Sequence, residues 1–154
     1  MGGTELAELA DSGAAMLGAS ADPGRVPEVF RIWGATHDAA SDTVRAVVAA
    51  DAGQTLETVA EGSRLSVTFT DILTFRSVQA KGHATGPPRP PGRADIAVMR
   101  RYEEVFARQM AKIGHPDRLV DKLRPTAVFV LTMVVDECFD QTPGPGAGRP
   151  LGAS

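Results

Sequence analysis

Apolar residues change period along this chain, and each change marks an element. Leu65, Val67 and Phe69 alternate with Ser66, Thr68 and Thr70, the period-two pattern of a strand with one wet face. Phe75 to Ala84 alternates in the same way, with Arg76, Val78 and Ala80 opposite Ser77, Gln79 and Lys81. Strands are also expected at the small-residue stretch Ala14 to Ser20, at Pro27 to His37 with Val29, Phe30, Ile32 and Trp33, and at the β-branched runs Val44 to Ala50 and Thr126 to Val135. Ala21-Asp22-Pro23-Gly24 is a turn, because proline presets one dihedral and glycine permits a positive one. The period becomes three to four from a cap expected at Asp95 to about Ile113. There Ile96, Met99, Tyr102, Phe106, Met110 and Ile113 define one face of a long helix, and Arg100, Glu104, Arg108 and Lys112 the other.

Shorter helices are expected at Thr4 to Gly13, at Asp117 to Leu123, and from a cap at Asp51 through Leu56, Val59 and Ala60 to a stop at Gly62. Gly86 to Gly92 contains four prolines in seven residues and reads as an extended connector rather than a ladder strand. Six strands with helices at the start, in the middle and before the last strand suit a mainly β fold, a small antiparallel barrel with peripheral helices. One domain over residues 1–146 and a flexible Pro/Gly-rich tail over 147–154 complete the organisation.

Composition narrows the function classes. A chain of 154 residues buries roughly two-thirds of the surface its unfolded form exposes, so its core needs no staple. Its one cysteine, Cys138, has no Cys or His at zinc-like spacing, which points to a reduced intracellular protein without structural zinc. Sixteen Lys plus Arg against nineteen Asp plus Glu give a formal charge of −3, so no nucleic-acid or membrane partner is expected. The longest uncharged apolar run, Pro125 to Val135, falls well short of the ~20 residues of a spanning helix. The first twenty residues carry Glu5, Glu8 and Asp11 but no basic residue, unlike a secretory signal, and the expected location is the cytoplasm.

No phosphate-loop, dinucleotide or His-x-x-x-His pattern occurs, and His37, His83 and His115 are scattered. Two groups of residues carry more information. Arg31 and Trp33 share one face of the second strand, where an Arg beside an indole can clamp a planar anion. Equally, Trp33 can be core and Arg31 a snorkelling surface residue. The stretch Arg76 to Gly82 projects polar side chains from both faces, as a ligand-bordering strand or a solvated edge strand does.

These residues carry a resemblance. Arg64 to Phe69, a six-residue gap, then Arg76-Ser77-Val78 with Gly82 beyond resembles the central strand pair of the pyridoxamine 5′-phosphate oxidase-like, FMN-binding split-barrel family. Pro27 through Arg31-Ile32-Trp33 resembles that family's earlier flavin-contacting strand, and Asp51 to Gly62 its short helix. The ending Phe139 to Gly146 is similar to that of small actinobacterial-type members. The resemblance spans about Ala14 to Gly146.

It implies a six-stranded split barrel acting as a homodimer, with FMN at the subunit interface and an oxidoreductase activity on a small-molecule substrate that the motifs do not identify. Arg31 corresponds to the phosphate-side arginine, and Ile32, Trp33 and Thr36 to residues bordering the flavin. Val47 and Val48 correspond to backbone beside the ring, Gln54 and Thr55 to the anion-favouring helix start, and Arg76 and Ser77 to the remaining contacts. The well-characterised oxidases have Lys at Thr36, Arg-Lys at Gln54 and Thr55, and Gln at Ser77. Three cationic partners of a phosphate are therefore replaced, each charge-assisted bond being worth about 1.5–3 kcal/mol. The vitamin B6 contacts are not recognisable, so pyridoxamine phosphate oxidation is not expected. The alternatives are a non-catalytic barrel binding another planar cofactor, such as haem or a deazaflavin, and a structural dimer without cofactor.

Overall fold

Alternation along the strands becomes the inside and outside of a barrel. The structure, a computed structural model, describes residues 2–152. In chain order the elements are α1 (Gly2–Asp11), β1 (Ala15–Ala21), β2 (Pro27–Asp38), β3 (Thr43–Ala49), α2 (Gly53–Thr58), β4 (Arg64–Thr70), β5 (Ser77–Ala84), α3 (Arg93–Lys112), α4 (Asp117–Leu123) and β6 (Val128–Asp140). The strands close a mainly β, antiparallel barrel in the order β1-β2-β3-β6-β5-β4. Met16, Phe30, Val44, Ala46, Leu65, Val67 and Phe69 are buried in the core. The void they leave between β2, β3, β4 and β6 is about 10 Å³, too small for anything larger than one water, so any ligand must lie outside the barrel wall.

Two bulges set the register. Between Ile32 and Ala35, β2 carries one residue more than β3. Gly34 sits in that bulge at φ +139°, and a Cβ there would lie 3.1 Å from the Met99 backbone. This close approach lets α3 lie against the outer face of β2. Between Lys81 and Gly82 the extra residue belongs to β6, where Asp136 has no partner on β5.

Several elements differ from what local pattern predicts. β5 is not a solvated edge strand, because it pairs with β4 on one side and β6 on the other. The expected α2 cap at Asp51 is not made. The cap position is Ala52 without a side-chain bond, and the helix stops at Thr58, before Val59 and Ala60. Asp95 is the third residue of α3 rather than its cap, and its carboxylate accepts the Gly92 N–H at 2.8 Å. The proline-rich connector holds ladder bonds after all, since its one residue with both an N–H and a side chain, Arg89, exchanges backbone bonds with Val130. Arg89 also pairs with Asp95 at 2.8 Å and holds that carboxyl below the usual carboxylate range. β6 runs five residues beyond Val135. The segment expected as a flexible tail turns back on β6, Gly148 donating to Asp140 at 2.7 Å and Leu151 to Cys138 at 2.8 Å; residues 153 and 154 lie outside the described residues.

Candidate functional site

Side chains two apart on a strand share a face, and those three apart do not. On β2 this puts Arg31 and Trp33 on the outer face, where α3 covers them. The Arg31 guanidinium carbon lies 4.6 Å from the centroid of the Trp33 indole and 4.8 Å from that of the Phe106 ring. Tyr102 meets Trp33 edge-on at 6.4 Å and stacks on Phe106 at 5.4 Å, so the three rings and the guanidinium form one cage. The Tyr102 hydroxyl donates to the Ala14 carbonyl at 3.0 Å, and burial pushes it up to about 12 against the pull of the Arg31 charge.

Arg31 is exceptional in what it lacks. Its Nε and Nη2 are sealed from solvent without a hydrogen-bond partner, and among the described residues no carboxylate pairs with it. Cation–π attraction to two rings stabilises a desolvated guanidinium by about 2 kcal/mol or more. The residue as a whole is half-buried and borders a cleft, so its charge is open to an anion from that side. Arg31 and Trp33 form one wall of a cleft of about 500 Å³. The opposite walls are the end of β3 through Asp51 and the segment Leu123 to Ala127 between α4 and β6. That volume is within the ordinary range for small-molecule sites.

The other expected site residues are placed elsewhere. Ile32 and Val48 are paired and wholly buried, and Val47 is buried on the opposite face of β3 from Val48. Thr36 pairs with Arg45 and lines a separate crevice of about 60 Å³ between α1 and α3. Gln54 donates its amide to the Val26 carbonyl at 2.9 Å. Thr55 is fully buried, its backbone N–H and Oγ1 both donate to the Glu28 carboxylate, and Ser20 Oγ lies 2.8 Å from its hydroxyl. Arg76 is engaged by Glu5 at 3.0 Å and Glu8 at 3.4 Å on α1, which raises its affinity for its proton. Ser77 is buried and bonded to Thr70 and Thr142. The structure therefore joins Arg31 and Trp33 in one cleft and does not bring Thr36, Gln54, Thr55, Arg76 or Ser77 to it.

This geometry tests the implied cofactor. The cage around Arg31 fits the anionic tail of a flat ligand. The start of α2 does not, because Glu28 already supplies an anion there. The sequence does not signal Tyr102, Phe106 and Arg124 as residues of this cleft and its cage. Tyr102 and Phe106 read as ordinary apolar positions of a helix, and nothing local says which strand that helix covers.

No protein-family model and no curated protein matches the sequence. Among solved structures, the chain superposes on HupZ of Group A Streptococcus with a TM-score of 0.55 at 17% identity, over 94% of this chain and 98% of that one. An F420 reductase matches with a TM-score of 0.55 at 12% identity, over 85% and 93% of the two chains. A candidate pyridoxamine 5′-phosphate oxidase from Lactobacillus delbrueckii matches with 0.51 at 17% identity, over 88% and 90%. The fold is the pyridoxamine 5′-phosphate oxidase-like split barrel. At such identities the likeness is one of fold, and the role of each residue in this split barrel follows from its own geometry. Among its described residues, no group of three or more His, Cys, Asp or Glu is placed to hold a metal, and no helix is long and apolar enough to cross a membrane.

Proposed function

We propose that this split barrel binds a flavin-type cofactor, FMN or a deazaflavin, with its ring in the cleft beside Trp33 and its anionic tail on Arg31, and that it acts as a homodimeric oxidoreductase. The observation that carries this reading is the half-buried Arg31 guanidinium, which borders the cleft, is caged between the Trp33 and Phe106 rings and has no carboxylate partner among the described residues. Such a ring exchanges hydride when bound, and the chain supplies position, polarity and exclusion of water. The names of two fold neighbours, an F420 reductase and a candidate pyridoxamine 5′-phosphate oxidase, agree with that class.

The dimer reading is supported by apolar side chains beside the same cleft. Leu17 is opposite Arg31 in the β1–β2 register and is 50% exposed, and Val29, on the same outer face, is 67% exposed. A second copy covering this face would bury both. Cys138 is half-buried, and burial pushes its thiol up to about 11, so it is a poor thiolate.

The visible spectrum of the purified protein and a flavin titration test the proposal. Wild type is expected to retain or take up flavin, and Arg31→Ala to bind it about 10- to 150-fold more weakly, the equivalent of about 1.5–3 kcal/mol. A protein that neither retains nor takes up flavin sinks the reading, and a Soret band in its place moves it to haem. Sedimentation is expected to show a dimer that Leu17→Glu dissociates.

A further inference from the structure

We infer that Arg124 is a second anion-binding residue of the cleft, reaching a ligand from the wall opposite Arg31: buried Glu103 keeps it in place, and exposed Asp121 is the partner it exchanges for the ligand's anionic tail. This rests on the reading of the cleft as a site for a flat, anionic-tailed ligand, and it names the residue that meets the tail from the far side.

Arg124 ends α4 and borders two spaces at once, the cleft that holds Arg31 and a groove of about 380 Å³ between α3 and α4. Its two carboxylate partners are unlike. Glu103, on α3, is buried, and its Oε1 is sealed from solvent, accepts no hydrogen bond among the described residues and lies 3.2 Å from the Arg124 Nε. Depriving a buried carboxylate of its cation is costly, so this contact is the one that is kept. Asp121 meets Nη2 at 3.3 Å, but its side chain is 67% exposed, and an ion pair so open to water contributes little. A guanidinium is a planar fork of donors. With Nε on Glu103, its outer nitrogens can give up Asp121 for a phosphate or carboxylate in the cleft. The two arginines divide the work: Arg31 is fixed between two rings, whereas the Arg124 side chain is 49% exposed and has room to adjust. The carboxylate on the lining, Asp51, is exposed, so water and salt screen its repulsion of an anion.

FMN and riboflavin share a ring and differ in the phosphate, so the ratio of their affinities, measured by flavin fluorescence, isolates the tail. Arg124→Gln is expected to lower the FMN-to-riboflavin ratio about tenfold, and Asp121→Asn to raise it about threefold. In an Arg124→Gln background, Asp121→Asn is expected to change nothing, which separates an exchanged partner from the loss of one negative charge nearby. Glu104→Gln, which removes an exposed carboxylate of the same groove, should leave the ratio as in wild type. Should Arg124→Gln fail to fold with Glu103 left unpaired, Glu103→Gln combined with Arg124→Gln takes its place, with the same expected loss. A ratio unchanged by either single substitution, or raised as much by Glu104→Gln as by Asp121→Asn, would overturn the inference. If wild type binds neither flavin, the flavin reading is the one that fails, and the role of Arg124 is read from thermal stabilisation by 2-naphthyl phosphate against 2-naphthol. A stabilisation specific to the phosphate that Arg124→Gln removes sustains the inference. One that Arg124→Gln leaves intact, or none at all, overturns it.

Discussion

Glu28 and Arg31 are three residues apart on β2, and the fold treats them in opposite ways. Their odd spacing turns them to opposite faces of the strand. At the barrel mouth, Glu28, Thr55 and Ser20 satisfy one another, so this polar cluster holds α2 across the end of β1 and β2 and has nothing left to offer. On the outer face, Arg31 is surrounded by Trp33, Tyr102 and Phe106, none of which can neutralise it. Polar groups of similar burial therefore have different meanings. A closed network has nothing left for a ligand, whereas a caged charge beside a cleft is where the proposed ligand would be held.

The comparison is broken most severely at the cage. Trp33 is 1% exposed, and Trp33→Ala is expected to cost about 3–5 kcal/mol in denaturant unfolding, because the indole supports both α3 and the guanidinium. A loss under 1 kcal/mol would mean that the cage is not packed as described.

Tyr102 sharpens it through pH. Its hydroxyl is raised from about 10 in the unfolded chain to about 12 in the fold, so the stability it contributes is fully present below pH 10 and lost as pH rises towards 12. Wild type should lose about 2–3 kcal/mol across that window that Tyr102→Phe does not lose. Melting curves at pH 9 to 12 for the two proteins check this, and parallel losses would contradict it.

At the mouth, Thr55→Val removes the hydroxyl between Glu28 and Ser20 with little change of shape. An expected cost of about 1–3 kcal/mol reflects the buried groups left without a partner, and flavin affinity should not fall. The smallest effect belongs to Arg76. Its pairs with Glu5 and Glu8 are solvent-exposed, the arginine side chain being 42% exposed, so Arg76→Ala should cost at most about 1 kcal/mol, fading in high salt, and leave flavin binding unchanged.

Much of this was legible locally. Leu65, Val67 and Phe69 declare an inner face because a strand alternates with period two, and the same period puts Arg31 beside Trp33 without any knowledge of the fold. The long helix from Arg93 to Lys112 is legible to within three residues of its start, since its apolar stripe recurs at helical spacing. The short helix α2 was misread at both ends because its N-terminal acceptor comes from Glu28, 27 residues earlier, rather than from a neighbouring cap. The polar faces of Arg76 to Gly82 suggested an edge for a similar reason. Alternation reports which side of a strand is wet, but not whether both of its hydrogen-bonding rims are occupied.

The amino-acid order by itself determined six strands, four helices and the shared face of Arg31 and Trp33, because these depend on residues within a turn or two of one another. Which helix would cover that face, which carboxylate would fill the start of α2 and whether the sheet would close were decided only in three dimensions. Those outcomes rest on partners distant in sequence: Phe106 over Arg31, Glu28 on Thr55, and β1 paired with β4. Closure satisfies the last free strand rims and exposes no rule of spacing in advance, so the site appears only once the wall of the barrel and the helix against it are both in place.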